Sequence, residues 1–307
     1  MSAPDTPPRR GGIAASLYDR PYLLLVLTTL FWSGNFIVGR AVHGTVPPVA
    51  LAFGRWAGAF LVVIGIAWPR LRRDWPMLLR HWPMLLLLAA TGIAAFNTFV
   101  YIGLGSTTAL NGLLMQSTMP AAILLCSLLL FGERPGVMQV LGIAVSFAGV
   151  VVIITRGEAC ALGRITLNVG DLWMFAAVLA YALYSVLLRR RPPVHPLSLL
   201  AAIFALGAAM LVPFLAWESA TAAPHLDRPT VLAVLYVAIF PSVIAYFCWN
   251  RGVELVGANR AGQLVHLMPV FGSALAILVL GEAFHGFHAA GAALIFAGIV
   301  LASRTRH

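Results

Sequence analysis

Lysine is absent from this chain, and all 20 of its basic residues are arginine. Acidic residues number 10, and charges of both signs make up 10% of 307 positions, where a soluble protein carries about a quarter. So little charge cannot clothe a water-facing surface of this size, which excludes an ordinary soluble globular protein. Cysteine is scarce as well: Cys126 and Cys248 fall within apolar segments and Cys160 stands alone, so neither a disulfide framework nor a metal-binding cysteine pair is present. Long polar stretches are missing, because the longest connections between apolar segments, 156–169 and 218–229, offer no room for a soluble domain. Catalytic signatures are missing too. There is no H-E-x-x-H, no G-x-S-x-G and no pair of carboxylates in the middle of an apolar segment, which argues against an intramembrane enzyme. His285 and His288 form a close pair without a carboxylate beside them, which reads as an interfacial polar face rather than a metal site, and no cofactor is expected.

What the chain has is apolar length. Apolar residues make up 61% of it, gathered into segments of about 20 residues, the length a helix needs to cross about 30 Å of hydrocarbon. Ten spans follow, at 21–42, 48–68, 82–104, 109–131, 137–155, 170–190, 196–217, 230–250, 260–280 and 286–303. The expected fold is an all-α polytopic membrane protein. Residues 1–20, rich in Pro, Gly and Arg, read as a short cytoplasmic tail rather than a signal peptide, since the apolar run behind them is span-length and lacks a small-residue cleavage site. Fifteen arginines fall on the face shared by both termini, against Arg40, Arg156, Arg164 and Arg228 on the other, and Arg55 lies inside a span. The positive-inside rule then puts both termini in the cytoplasm of a cell whose inner membrane holds the protein. The net charge of +10 is therefore a topology signal, with no nucleic-acid partner implied.

The segment Met119–Val151 returns 149 residues later as Met268–Val300, with 11 of 33 positions identical, among them Met119/Met268, Pro120/Pro269, Gly132/Gly281, Glu133/Glu282, Gly142/Gly291 and Gly149/Gly298. The same offset pairs Trp32 with Tyr181, Arg40 with Arg189 and Trp68 with Trp217. Two repeats are expected, 21–155 and 170–303. Five spans per repeat is an odd number, so the second copy enters the bilayer from the opposite side. Inverted repeats of this kind give two pseudo-symmetric access states around a shared midplane site, which points to a transporter.

Polar and aromatic residues stack at helical spacing on spans 1, 3, 4, 6, 8 and 9: Trp32 with Asn35, Asn97 with Tyr101, Gln116 with Pro120, Tyr181 with Tyr184, Ser242 with Tyr246 and Asn250, and Gln263 with His266 and Pro269. Trp32, Asn35, Asn97, Tyr101, Gln116, Tyr181, Tyr184, Tyr246 and His266 are the candidate substrate-binding set. For each of them, interhelical hydrogen bonding is the competing role. Spans 2, 5, 7 and 10 are smoother and suit a scaffold. Pro120, Pro241 and Pro269 each remove a mid-span donor and free a carbonyl one turn earlier, and Gly92 stands where Pro241 stands in the other half. Arg55 lies about 10 Å below the start of span 2, so a partner is expected, with Glu282 and a substrate carboxylate the two candidates. Glu133 and Glu282 read as structural locks near neighbouring helix N-termini, and Arg55, Pro120 and Pro269 join them as gating or structural residues. Because Phe204 matches Arg55 and Tyr184 matches Asn35, these polar elements of spans 1 and 2 look unduplicated.

The ordered pattern resembles the drug/metabolite transporter superfamily, and within it the ten-span EamA-type members. The residues that carry the resemblance are Trp32, Asn35 and Phe36 in span 1, Arg55-Trp56 in span 2, Pro120 and Pro269, Gly132-Glu133 and Gly281-Glu282, and the glycine pairs of spans 5 and 10, over residues 21–303. The resemblance implies a substrate carrier, often an exporter of amino acids or related metabolites, and the aromatic midplane is similar to that of the aromatic amino acid exporter branch. The expected partner is a small molecule, an amino acid, within a lipid bilayer. A carrier of anions such as sugar phosphates is the alternative, and it would need more cationic groups than Arg55 at the site. The superfamily's small multidrug exporters exchange protons on a first-span Glu, whereas here every carboxylate lies at or beyond a span end, so a carboxylate-driven antiporter is disfavoured.

Overall fold

A computed structural model describes residues 18–42, 44–107, 109–158, 168–220, 227–280 and 283–303. Most of the N-terminal tail, Cys160 and Arg164 in the 156–169 connection, Gly281, Glu282, and the C-terminal Arg304 and Arg306 lie outside the described residues. Among those described, nine helices are long and apolar enough to cross a membrane. Span 1 is Pro21–Val42, span 5 Val137–Ile154, span 6 Val169–Leu187, span 7 Pro196–Ser219 and span 10 Gly286–Ser303. Span 2 runs Pro48–Arg80, which corrects the expected end at residue 68. At 1.5 Å per residue this helix is about 50 Å long, and its last turns, with Arg70, Arg72, Arg73 and Arg80, extend past the hydrocarbon length rather than forming a loop. Pro69 and Pro76 lie within it.

Spans 3 and 8 are long helices, Trp82–Ser106 and Arg228–Val256, each interrupted by a π-helical stretch, Ala89–Ala95 and Ile239–Ile244. Spans 4 and 9 are discontinuous. Span 4 consists of Ala109–Gln116 and Met119–Phe131, and span 9 of Ala258–Gln263, a 3-10 turn at Leu264–Leu267 and Met268–Leu280. The proline expected to kink each of these spans instead sits in the first turn of its second helix, Pro120 after Met119 and Pro269 after Met268, where a missing N–H costs nothing.

The helices pack about a pseudo-two-fold axis. Span 2 lies on its counterpart span 7, span 5 on span 10, and span 4 crosses span 9, while the contact of span 3 with span 6 is mirrored by that of span 8 with span 1. Of the nine, spans 3 and 6 are the most enclosed, each with 61% of its apolar stretch buried, against 22% for span 10, so these two polar-striped helices lie nearest the centre. Glycine sets the closest approach. A Cβ on Gly142 would stand 2.5 Å from the carbonyl of Gly298, and one on Gly149 would stand 2.6 Å from that of Gly291, so backbone meets backbone where spans 5 and 10 cross. Acids tie the other pair together at helix N-termini. Glu218 at the end of span 7 accepts from the N–H groups of Val49 and Ala50 at the start of span 2, and Asp74 near the end of span 2 accepts from His195 N at the start of span 7.

Candidate substrate site at the pseudo-two-fold axis

Each π-helical stretch turns a backbone carbonyl toward the centre. Gly92 O accepts from the Tyr246 hydroxyl, and its counterpart Pro241 O accepts from Arg55 Nη2 at 2.9 Å and Trp32 Nε1 at 3.2 Å. The carbonyl freed by Pro241, that of Val237, is taken by the Ser242 hydroxyl at 2.7 Å and is not open to substrate. Arg55 is 1% exposed, so span 2 contributes the central charge despite its otherwise smooth sequence. Its Nε donates to Ser242 Oγ at 2.6 Å, and its Nη1 to Asn35 Oδ1 at 2.8 Å and Tyr101 OH at 3.1 Å. These partners are neutral, and among the described residues no carboxylate pairs with it.

The polar element of span 1 is duplicated after all, with its residues exchanged. Tyr101 of span 3 donates to Asn35 of span 1 at 2.9 Å, and Tyr184 of span 6 donates to Asn250 of span 8 at 2.8 Å. Tyr184 is the counterpart of Asn35 and Asn250 that of Tyr101. One asparagine–tyrosine bond therefore stands in each half, toward opposite faces. Arg55 reinforces the first, whereas Phe204 takes its place in the second, packing on Trp56 with ring centroids 5.0 Å apart, and among the described residues Asn250 Nδ2 has no partner.

Between the two bonds lies an aromatic cluster. Trp32 and Tyr181, counterparts of one another, meet edge to face at 5.1 Å, and Trp249, Tyr246 and Phe96 close around them. Other counterparts also touch, as expected along the axis: Asn97 Nδ2 donates to Tyr246 OH at 3.5 Å, His266 Nε2 lies 2.8 Å from Ser117 O, and Ser146 Oγ donates to Ile295 O at 3.2 Å. Trp32, Asn35, Asn97 and Gln116 line a small central cavity with about 10 Å³ open to the centres of water molecules, while His266 is not among its walls. A much larger vestibule of about 560 Å³ opens on the arginine-rich face, bounded by Ser127, Ser185, Val253 and Ala258. At its rim the exposed Glu133 pairs with Arg189 and accepts from Asn259 Nδ2 at 3.2 Å, joining the ends of spans 4 and 6 to the start of span 9. The structure thus brings Trp32, Asn35, Arg55, Tyr101, Tyr181, Tyr184 and Tyr246 into one connected centre. It places Gln116 and His266 at the crossing of the broken spans, and Glu133 at the rim, while Glu282 is outside the described residues.

Sequence reasoning missed Trp249, whose indole N–H is buried without a partner among the described residues, and gave Trp56, named only for the family resemblance, no place in the site, although it packs on Tyr246 at 5.1 Å. Trp249 lies one turn beyond Tyr246, next to Asn250 in the chain, so the stripe on span 8 already pointed to it.

Two related five-span halves meeting at a buried polar and aromatic centre define a membrane transporter of the inverted-repeat class. The EamA-like transporter family matches residues 19–155 and 168–304, and the chain belongs to that family, within the drug/metabolite transporter superfamily. An uncharacterized transporter of Archaeoglobus fulgidus is 31% identical over 94% of this chain and 99% of its own length. The uncharacterized transporter YyaM of Bacillus subtilis is 27% identical over 92% and 93%. A probable amino-acid metabolite efflux pump of Escherichia coli is also 27% identical, over 91% and 93%. A solved crystal structure superposes with a TM-score of 0.73 at 24% identity, covering 92% of this chain and 96% of its own, and so shares the fold.

Proposed function

We propose that the protein is a secondary carrier that exports amino acids or related small zwitterionic metabolites across a bacterial inner membrane by alternating access, with both termini cytoplasmic. The observation that carries this reading is Arg55, a buried guanidinium whose partners among the described residues are all neutral. A charge so placed costs at least about 2.5 kcal/mol on insertion scales, and a substrate carboxylate is the partner that would offset it during transport. The aromatic rings of Trp32, Tyr181 and Tyr246 supply apolar contact for a side chain, and Asn97, Tyr101, Gln116 and Tyr184 supply polar contact around it. The name of the Escherichia coli relative, a probable amino-acid metabolite efflux pump, supports the same substrate class. The central cavity is far too small for an amino acid, so substrate entry requires the aromatic cluster to part. The wide vestibule on the arginine-rich face is the approach from the cytoplasm in this reading. Purified protein in liposomes, assayed with a panel of radiolabelled amino acids, tests it. Transport of at least one amino acid, competed by its own unlabelled form, is expected, and exclusion of the whole panel with uptake of non-carboxylate solutes would overturn it.

A further inference from the structure

We propose that His266 is the proton-coupling group of this carrier, taking a proton on Nδ1 from one side of the membrane and releasing it to the other. This deepens the transport reading above and rests on it.

The ring is fully buried, and its Nε2 lies 2.8 Å from the backbone carbonyl of Ser117. A carbonyl can only accept, so Nε2 carries the hydrogen and Nδ1 is left as the site of change. Among the described residues, Nδ1 has no hydrogen-bond partner. A second proton there would create a buried cation with an unpaired donor, so the ring is neutral in this conformation and its lone pair is free. The elements packed against the 3-10 turn that carries it offer no compensating charge nearby. Span 5 has no titratable group, span 10 has His288 at its exposed start, and the adjoining helix of span 4 has Cys126, nine residues from Ser117. Span 1 has Tyr22 and Arg40 toward its two ends, and span 9 itself has Arg260, with Glu282 outside the described residues. The other titratable groups at the centre are tyrosines and Arg55.

The location fits the task. His266 and Ser117 are counterparts in the two repeats, so their bond lies on the pseudo-two-fold axis, at the crossing of the two broken spans. Eight residues separate His266 from Ala258 at the vestibule, about 12 Å of helix, which puts the ring near mid-membrane. Among the described residues, Gln263, one turn earlier, has both amide atoms buried without partners, and Gln116, next to Ser117, has an unpaired Nε2. Three side chains with unused polar atoms at one joint are costly in a closed core and useful in one that hydrates as it opens. A proton on Nδ1 favours the hydrated, open joint, and its departure favours the closed one. Only an N–H bond forms and breaks in the cycle.

The test uses the full-length protein in liposomes. For the wild type, the inward proton flux driven by an outward amino-acid gradient is read with a trapped pH dye and divided by the amino-acid flux. In His266→Gln this ratio is expected to fall to zero, whatever rate of amino-acid movement remains. An unchanged ratio, or wild-type transport that moves no protons, would overturn the assignment while leaving the carrier function standing. A second measurement needs no substrate. In a chain with Cys126, Cys160 and Cys248 replaced, Val186→Cys reports vestibule access through its rate of maleimide labelling between about pH 5.5 and 8. The rate relative to that of the same cysteine in the His266→Gln background, which cancels the thiol's own titration, is expected to change with pH. A pH-independent ratio would overturn the proposal even if no amino acid on the panel were carried.

Discussion

Replacing Arg55 with glutamine should damage transport far more than stability. The substitution removes donors to Ser242, Asn35, Tyr101 and Pro241, yet none of those groups is left without another partner. Tyr101 still donates to Asn35, Trp32 still donates to Pro241 O, and Ser242 still donates to Val237 O. The penalty of about 1–3 kcal/mol for each orphaned buried group is therefore not incurred. What remains is the net loss of the bonds themselves, about 1 kcal/mol each, opposed by relief of at least about 2.5 kcal/mol for a charge buried without a counterion. The net change should stay within about 2 kcal/mol, a modest shift in melting temperature. A substrate carboxylate deprived of its guanidinium loses about 2–5 kcal/mol, so kcat/KM for amino acids should fall by about 30-fold or more. Amines made by removing the carboxyl group should be spared or carried better. Uptake of matched acid and amine pairs into liposomes, beside thermal melting in detergent, reads both effects. Equal losses for acids and amines, or amino-acid uptake at the wild-type rate, would refute the role given to Arg55.

Further tests follow from the packing. Tyr181→Phe removes a buried hydroxyl whose polar neighbour is the Tyr246 hydroxyl, so stability should change by no more than about 1 kcal/mol, and a fall in transport would show that the hydroxyl meets the substrate. Trp32→Ala, by contrast, opens a hole beside Tyr181 and Trp249 and should cost about 3–5 kcal/mol, so its transport defect is interpretable only beside its melting curve. Gly298→Ala would put a methyl 2.2 Å from Ser146 Oγ and 2.5 Å from the Gly142 carbonyl and should destabilise by about 1–3 kcal/mol, whereas Gly272→Ala, with open space around it, should be neutral or stabilising. Reporter fusions at residue 307 and within 156–169 should show opposite sidedness, and matching sidedness would end the five-span inverted arrangement.

The spans and the repeat were legible because both are one-dimensional signals: apolar length fixes a membrane helix, and an offset of 149 brings Pro120 onto Pro269 and Gly142 onto Gly291. The centre was legible as a set of residues but not as a set of bonds. Asn35 and Tyr184 look like a mismatch in the aligned repeats, and only the fold shows that each meets its opposite type, because a hydrogen bond is unchanged when donor and acceptor trade places. The breaks in spans 4 and 9 were signalled by their prolines, yet a proline in mid-span equally suits a kink, and the choice between kink and break depends on what fills the gap. In span 9 that is His266 against Ser117. The reach of span 2 to Arg80 was hidden by its arginines, which read as loop charge although they sit on a continuing helix.

A gene duplication starts with two identical halves, and a carrier assembled from them would have inward- and outward-facing forms of equal free energy, each populated half the time. Arg55 opposite Phe204 ends that degeneracy. Its bonds tie span 2 to spans 1, 3 and 8 on one side of the axis, and among the described residues Phe204 makes no such bonds from span 7 to spans 6, 8 and 3 on the other. Each 1.4 kcal/mol by which that tie outweighs its counterpart skews the resting ratio of the two forms tenfold. Arg55 would then act as a bias weight beside the carboxylate-binding role proposed for it. An arginine introduced at Phe204, facing the Tyr184–Asn250 bond, would be the direct way to level the scale.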